Sequence, residues 1–413
     1  MLNLKQHLKE AAGKNTHMTH IEDLILDGGV KGARQAILAL RSLRDMLSGN
    51  SSSAVDVTVK WDGAPAVFAG EDPGTGEFFV AKKGIFNAEP KIYKSHADIK
   101  ADTSGDLSKK LILAFDNLKD LGIKGVIQGD FMFEKGDLKT ESINGTKHVV
   151  FHPNTIAYAV PVGTPLAKQI SKAKIGIVWH TTYSGATFET MRAEFGRDIV
   201  KKLKQTSKVW QVDAKLPDLS GTATMTASET ASVTKKLSEA GKMFKQIAAS
   251  TLKEIEKNKE LNLVMNVWNN KKVREGQRIK NTKEHVTGLI MFVNDRYAKE
   301  SDKRSSPQGK EKINAKRDEL LTFFSKKNQK NLQKVYDLQN LVTDAKLIII
   351  NKLNRLSSIG TFVKTKSGFK VTNPEGFVAI DRMEGGAVKL VDRLEFSTNN
   401  FSKDIIKGWD NPN

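Results

Sequence analysis

Lys60, Trp61, Asp62 and Gly63 close an alternating apolar run, VDVTVK, and a second apolar run, APAVFAG, follows. A lysine amine at a strand end is an ordinary solvated charge. Where neighbouring cations disfavour its ammonium form, it is instead a nucleophile able to attack phosphorus. Side chains alternate along an extended chain, so Asp62 would share a face with Lys60. A glycine next lets the backbone turn close to a ligand. Taken alone, K-x-D-G fits both a nucleophile and a surface lysine before a turn.

Rival constellations are poor. No G-x4-G-K-[ST] phosphate loop occurs, and DPGTGEF lacks the lysine and following helix such a loop requires, so it reads as a hairpin turn. His17 and His20 are three apart on a possible helix and could share a metal, but no further ligands stand beside them. His148, His152 and His180 fall on strands and are expected as core or surface groups. Trp210 and Trp268 read as core aromatics. The chain has no cysteine, which excludes disulfides, thiolate catalysis and cysteine zinc sites.

The elements that must carry Lys60 follow from periodicity. Residues 16–48 read as two helices, the first with Thr19 as a cap before IEDLILDGG. SGNSSS is a loop, after which the period changes to two: VDVTVKW, APAVFAG and GEFFVAKKG are strands. SGDLSKKLILAFDNLKDLG is an amphipathic helix. GVIQGDFMFE, KHVVFHPNTIAYAVPV and KIGIVWHTTYSG are strands, the last two separated by the helix TPLAKQISKA. From Ala186 the texture becomes helical and lysine-rich, beginning with ATFETMRAEFGRDIVKKLKQ. PDLSGTATMTASETASVT reads as a loop, and VTGLIMFVNDRYAKESDKRSSPQGKEK as a link between the later helices. Near Gly360 strands return as TFVKTKSGFKV, EGFVAIDR and AVKLVDRLEFS, the last two joined at MEGG. This pattern predicts an α+β fold with an antiparallel sheet. Residues 1–50 are expected as helices packing on a sheet domain, 51–185 as its first part, 186–360 as a basic helical insertion, and 361–413 as its completion.

Charge singles out that insertion. Lys and Arg number 66 against 47 Asp and Glu, a net +19, yet residues 186–366 alone hold 37 basic and 20 acidic residues. Nearly all the excess therefore sits in the central segment. It is either a solubilising surface or a surface for polyanions, nucleic acid being the usual partner. No apolar run is long enough for a membrane span or a leader, so the expected location is cytoplasmic.

Five motifs occur in order: KWDG, IQGDFMF, NTIAYAV, PEGFVAI and AVKLVDR. The set resembles the covalent nucleotidyltransferase superfamily of ATP-dependent DNA ligases, RNA ligases and mRNA capping enzymes. The likeness covers 55–160 and 365–395, about a third of the chain. It implies a nucleotidyltransferase (ATP-grasp-like ligase) domain in which Lys60 forms a phosphoramidate with a nucleotide and Lys389 neutralises the α-phosphate. Asp130 and Glu375 would hold ribose hydroxyls or Mg²⁺, and Tyr158 would stack the base. Lys82 and Lys83 would contact phosphate or substrate, with Asp62 and Gly63 completing the nucleotide site. ATP and Mg²⁺ are the implied cofactors.

Departures are Asp130 where the family usually has Glu, Ala64 and Pro65 where many members carry an arginine, and the long insertion. Too few residues follow the last motif for a C-terminal OB fold, which points towards RNA-ligase-like members that seal a 5′-phosphate to a 3′-hydroxyl. A DNA ligase and a guanylyltransferase are alternatives. So is a non-catalytic, nucleic-acid-binding phage structural protein on a degenerate fold, since THMTHIEDLILDGGVKGARQAI looks like segments of tailed-phage proteins.

Overall fold

The computed structural model describes residues 18–49, 55–216, 224–355, 359–381 and 386–410. Helices α1 (Leu24–Asp27) and α2 (Gly29–Leu47) precede strands β1 (Val55–Lys60), β2 (Ala66–Glu71), β3 (Phe78–Ala81) and β4 (Ile92–Tyr93). Helices α3 (His96–Asp102) and α4 (Gly105–Leu118) lead to β5 (Val126–Glu134), β6 (Lys139–Ile143), β7 (Thr146–Phe151) and β8 (Ile156–Pro161). Next come α5 (Pro165–Lys172), β9 (Ile175–Ser184), β10 (Arg192–Phe195) and β11 (Val209–Asp213). A helical run follows: α6 (Ala227–Gln246), α7 (Ala249–Lys257), α8 (Lys259–Arg274), α9 (Thr282–Asp302), α10 (Pro307–Phe323) and α11 (Lys326–Asn354). Strands β12 (Gly360–Thr365), β13 (Gly368–Val371), β14 (Gly376–Asp381) and β15 (Ala387–Leu390) return, then α12 (Arg393–Phe401) and β16 (Ile405–Ile406).

The fold is mixed α and β, and its sheets are antiparallel apart from β11, which runs parallel to β9. One sheet has the order β10-β9-β5-β2-β3-β4 and another β13-β12-β8-β7-β6, with β16 beside β12. The smallest, β1-β14-β15, joins an early strand to two late ones. Its alternation explains its position. Val55, Val57, Phe377, Ala379 and Leu390 lie on one face and sink into the core formed by α2 and the helical run. Each of the valine, leucine and phenylalanine side chains among them contributes roughly 1.5–3 kcal/mol when fully buried. The sheet's edges are also covered: residues 214–216 pair with β1 through Val59 N–H to Ala214 O (2.8 Å) and Leu216 N–H to Val57 O (2.8 Å).

Several sequence expectations are corrected here. Residues 186–205 are not a helix: β10 and β11 cover the free edge of β9, where unpaired backbone groups need partners. Asp213 accepts from Ile199 N and Val200 N (3.0 and 3.1 Å), fixing the turn between them. The sheet region therefore runs past residue 186. Of the expected Ser/Thr-rich loop, residues 217–223 fall outside the described residues, and its second half is helix α6, capped reciprocally by Thr226 and Glu229. The supposed link after Val286 is α9 and the start of α10, capped by Asn281 and Ser306, with Val286, Leu289, Val293 and Tyr297 in the core. AVKLVDRLEFS is a strand only to Leu390, because Asp392 caps α12. Thr19 caps no helix; α1 starts at Leu24. The readings at His17, at residues 50–53 of SGNSSS, and at residues 383–385 of MEGG fall outside the described residues, although Asp381 N–H reaches Gly386 O (2.8 Å). No described helix is long and apolar enough to cross a membrane.

Candidate active site

Register puts the two terminal lysines on one face. Lys60 pairs with Gly376, and Val378 pairs with both Thr58 and Lys389. Directly opposed residues share a face, as do residues two apart along a strand. Thr58, Lys60, Val378 and Lys389 therefore face away from the helical core. Gly376 has φ +153°, and a Cβ there would stand 2.6 Å from Leu390 O, so Lys60 meets bare backbone.

Glu375, one residue earlier, forms an ion pair with Lys60 Nζ. Its loop is pinned by Glu395 on α12, which accepts from Thr372 Oγ1 (2.9 Å), Asn373 N (3.0 Å) and Asn373 Nδ2 (2.7 Å). Burial pushes the Glu375 carboxyl up to about 7; Asp62 and Asp130 add to the rise, while Lys60 opposes it. Lys389 is half-buried and held below the usual lysine range by burial, by the Lys60 charge and by Lys83, against the pull of Glu375. Among the described residues its ammonium has no ion-pair partner. Glu375 thus pairs with one amine and acts on the other only through its charge.

Asp62 lies close by but is occupied. It is 7 % exposed and accepts from Asn154 Nδ2 (2.7 Å), Thr155 N (2.8 Å) and Ile156 N (2.8 Å), clamping the β7–β8 loop to the end of β1. Burial raises its pKa against those hydrogen bonds and the Lys60 charge. Gly63 is required by close approach, since a Cβ there would lie 2.6 Å from Asp130 Cβ. Ala64 N–H to Phe131 O and Phe131 N–H to Pro65 O (both 2.9 Å) then lead the chain into β2, opposite β5. Asp130 on β5 is half-buried, and His180 Nε2 on β9 approaches it at 3.8 Å.

Two expected residues are elsewhere. Tyr158 is not a platform for a base: it is 2 % exposed, with Trp61 stacked on it at 4.9 Å and Phe151 at 5.4 Å, and its hydroxyl accepts from Asp62 N (2.7 Å). Every β8 residue from Ile156 to Val160 is buried, so both faces of the strand are enclosed. Lys82 turns to Asp102 (3.0 Å) and the Tyr93 ring. Lys83 is exposed and acts on the site only through its charge on Lys389.

Asp130 and Glu375 are hard oxygen donors of the kind Mg²⁺ takes. No group of three or more ligating His, Asp or Glu side chains converges among the described residues. A Mg²⁺ ion would fit there only with phosphate oxygens and water completing its shell, which is its usual preference.

Sequence reasoning missed the support behind Lys389. Thr19 O accepts from Lys389 N (3.0 Å) and Ile21 N donates to Lys389 O (3.2 Å), so 19–21 runs as a short parallel strip beside β15. His20, expected at most as a metal ligand, is half-buried there and kept neutral, its pKa lowered to about 3 chiefly by burial. Glu22 pairs with Lys346 of α11 (2.7 Å), and Lys346 Nζ also donates to Val391 O (2.8 Å). Arg393 pairs with Asp23 (2.9 Å). One signal was readable: Lys346 interrupts the apolar stripe Leu338, Val342, Ala345, Ile349 of α11, where a charge needs a partner.

A model of a family of unknown function, DUF6267, matches residues 15–405. No curated protein and no solved structure matches the chain.

Proposed function

The chain belongs to the DUF6267 family, and we propose that it is an ATP-dependent polynucleotide ligase of the RNA-ligase-like kind, working through a covalent lysine–nucleotide intermediate. One observation carries the reading: Lys60 and Lys389 share a face of the small sheet, with Glu375 ion-paired to Lys60. Lys60 Nζ attacks the α-phosphorus of ATP; an N–P bond forms, the bond to pyrophosphate breaks, and the amine's proton leaves. Glu375, raised to about 7, is placed to take that proton. Lys389 and Lys83 offset the charge that builds on phosphate. A strand's 5′-phosphate oxygen then displaces Lys60 from the phosphorus, and a 3′-hydroxyl displaces AMP. Asp130 would hold Mg²⁺, with Glu375 as a second ligand only where it does not serve as the base, and the ion would supply further charge neutralisation. The helical run, holding most of the basic excess, would hold the strand.

Incubation with α-labelled ATP and Mg²⁺, followed by a denaturing gel, tests this. Labelled wild type and unlabelled Lys60→Ala are expected, with the labelling rate rising as pH passes through about 7. No label from ATP or GTP sinks the enzyme reading, and label from GTP alone makes it a guanylyltransferase. One observation favours a second, non-catalytic reading, a nucleic-acid-binding structural protein: Tyr158 is enclosed by Trp61 and Phe151, leaving no base platform at that position.

A further inference from the structure

Away from Lys60, helices α8 and α9 border a cleft of about 700 Å³. Gly288 makes it possible: a Cβ there would lie 2.6 Å from Trp268 Cζ2, so only glycine lets α9 close over the indole. Trp268 and Phe292 pack with ring centres 5.4 Å apart. Lys271 Nζ sits 5.8 Å from both ring centres, and Lys272 Nζ sits 4.5 Å from that of Trp268. Cations held over rings lose less freedom when they meet an anion.

Lys271, Arg296, Lys299 and Lys303 border the cleft and form no ion pair among the described residues. Arg296 Nε is buried without a hydrogen-bond partner, a donor whose desolvation nothing here offsets. Of the two carboxylates at the rim, Glu300 is engaged by Arg304 (3.6 Å), leaving Asp295. The cleft is therefore cationic, with exposed Met291 beside it as an apolar contact. Helix α8 also reaches the candidate active site's flank, since Asn270 accepts from Arg393 and Arg274 lies over Phe401 (5.7 Å).

We propose that this cleft binds a single strand of nucleic acid, with Arg296, Lys299, Lys303 and Lys271 taking successive phosphates and the apolar rim contacting bases. The assignment rests on the reading of the protein as one that acts on polynucleotides, and names where the strand is held.

The test is fluorescence anisotropy of a labelled twenty-nucleotide single strand with the full-length protein across a salt series. Arg296→Ala/Lys299→Ala/Lys303→Ala should weaken binding at least tenfold and flatten the slope of log affinity against log salt by about 2, at ~0.7 per lost phosphate contact. Lys168→Ala/Lys172→Ala on exposed α5 positions should change neither. If the triple variant does not fold, Lys299→Ala/Lys303→Ala, both exposed, should give about two-thirds of the change in slope. Unchanged affinity and slope in the cleft variants, or an equal loss in the α5 control, overturns the proposal. So does displacement of the strand by an acidic peptide of equal charge at equal concentration. Labelling of the wild type by ATP separates the two readings: label without cleft-dependent binding leaves the ligase reading alone standing, and cleft-dependent binding without label leaves only the cleft.

Discussion

Two lysine clusters, one buried and one half-open, lie on either side of β15, and they are built on opposite rules. Behind the strand, Lys346 is 1 % exposed and its ammonium meets both Glu22 Oε1 and Val391 O, while Arg393 meets Asp23. Each cation has a close carboxylate partner, and Arg393 also lies 3.8 Å from Glu22 Oε1. In front of the strand, Lys60 pairs with Glu375, while Lys389 feels that carboxylate's charge and has no ion-pair partner among the described residues. The first arrangement holds chain segments together at the cost of desolvation. The second leaves charge unmatched in a half-open site, which is where ligand binding or catalysis is to be sought. Their carboxylates differ accordingly. Burial alone would raise both, but Lys346 and Arg393 bring Glu22 down to about 2, whereas Asp62 and Asp130 help hold Glu375 up at about 7.

That contrast can be broken most easily at the lysines. Lys346→Met leaves Glu22 buried without its main partner and should cost about 3–5 kcal/mol in urea unfolding. Lys60→Met removes a half-open pair and should cost about 1 kcal/mol or less. Equal losses would erase the distinction between a structural and a functional cluster.

Asp62→Ala comes next. It orphans the buried Thr155 and Ile156 N–H groups, at about 3 kcal/mol together, and hydrogen exchange should quicken in the β7–β8 loop. Stability unchanged would mean that Asp62 does not clamp that loop. Gly63→Ala drives a methyl group against Asp130 and should cost about 1–3 kcal/mol, read as a lower melting temperature.

The smallest effect sharpens the comparison by sign. A carboxyl lowered in the folded state stabilises above its unfolded value, and that contribution fades as pH falls from about 4.5 to 2 for Glu22. A carboxyl raised in the folded state stabilises below its unfolded value, and that contribution fades as pH rises from about 4.5 to 7 for Glu375. Glu22→Gln should flatten the acid limb of the stability profile and Glu375→Gln the neutral limb. The same limb lost in both variants would contradict the assignment.

Much of the fold was legible because alternation and helical stripes survive in the sequence. VDVTVK, the helix at 105–118 and the strand in EGFVAIDR are such cases, whereas TFVKTKSGFKV, read as one strand, folds back as the β12–β13 hairpin. The misreadings cluster where a local pattern was outvoted. Residues 186–205 carry helix-forming residues but answer to the open edge of β9. The caps at Thr226, Asn281 and Ser306 are short polar signals easily lost in polar surroundings. In the site, Lys60, Glu375 and Lys389 were legible as types in motifs. The burial of Tyr158 was not, because whether a strand is covered on one face or both depends on what packs above it.

By itself the sequence determined which residues can do chemistry and on what kind of element each stands, since period and residue type are local properties. It also determined that the basic excess lies in one central segment, residues 186–366. Only the tertiary structure decided that Lys60 and Lys389 face the same way, that Asp62 is consumed by backbone N–H groups, and that a glutamate beside residue 20 secures the far side of β15 through Lys346. Those outcomes depend on strand register and on which distant groups exclude water from one another, and neither is encoded within any short stretch of chain.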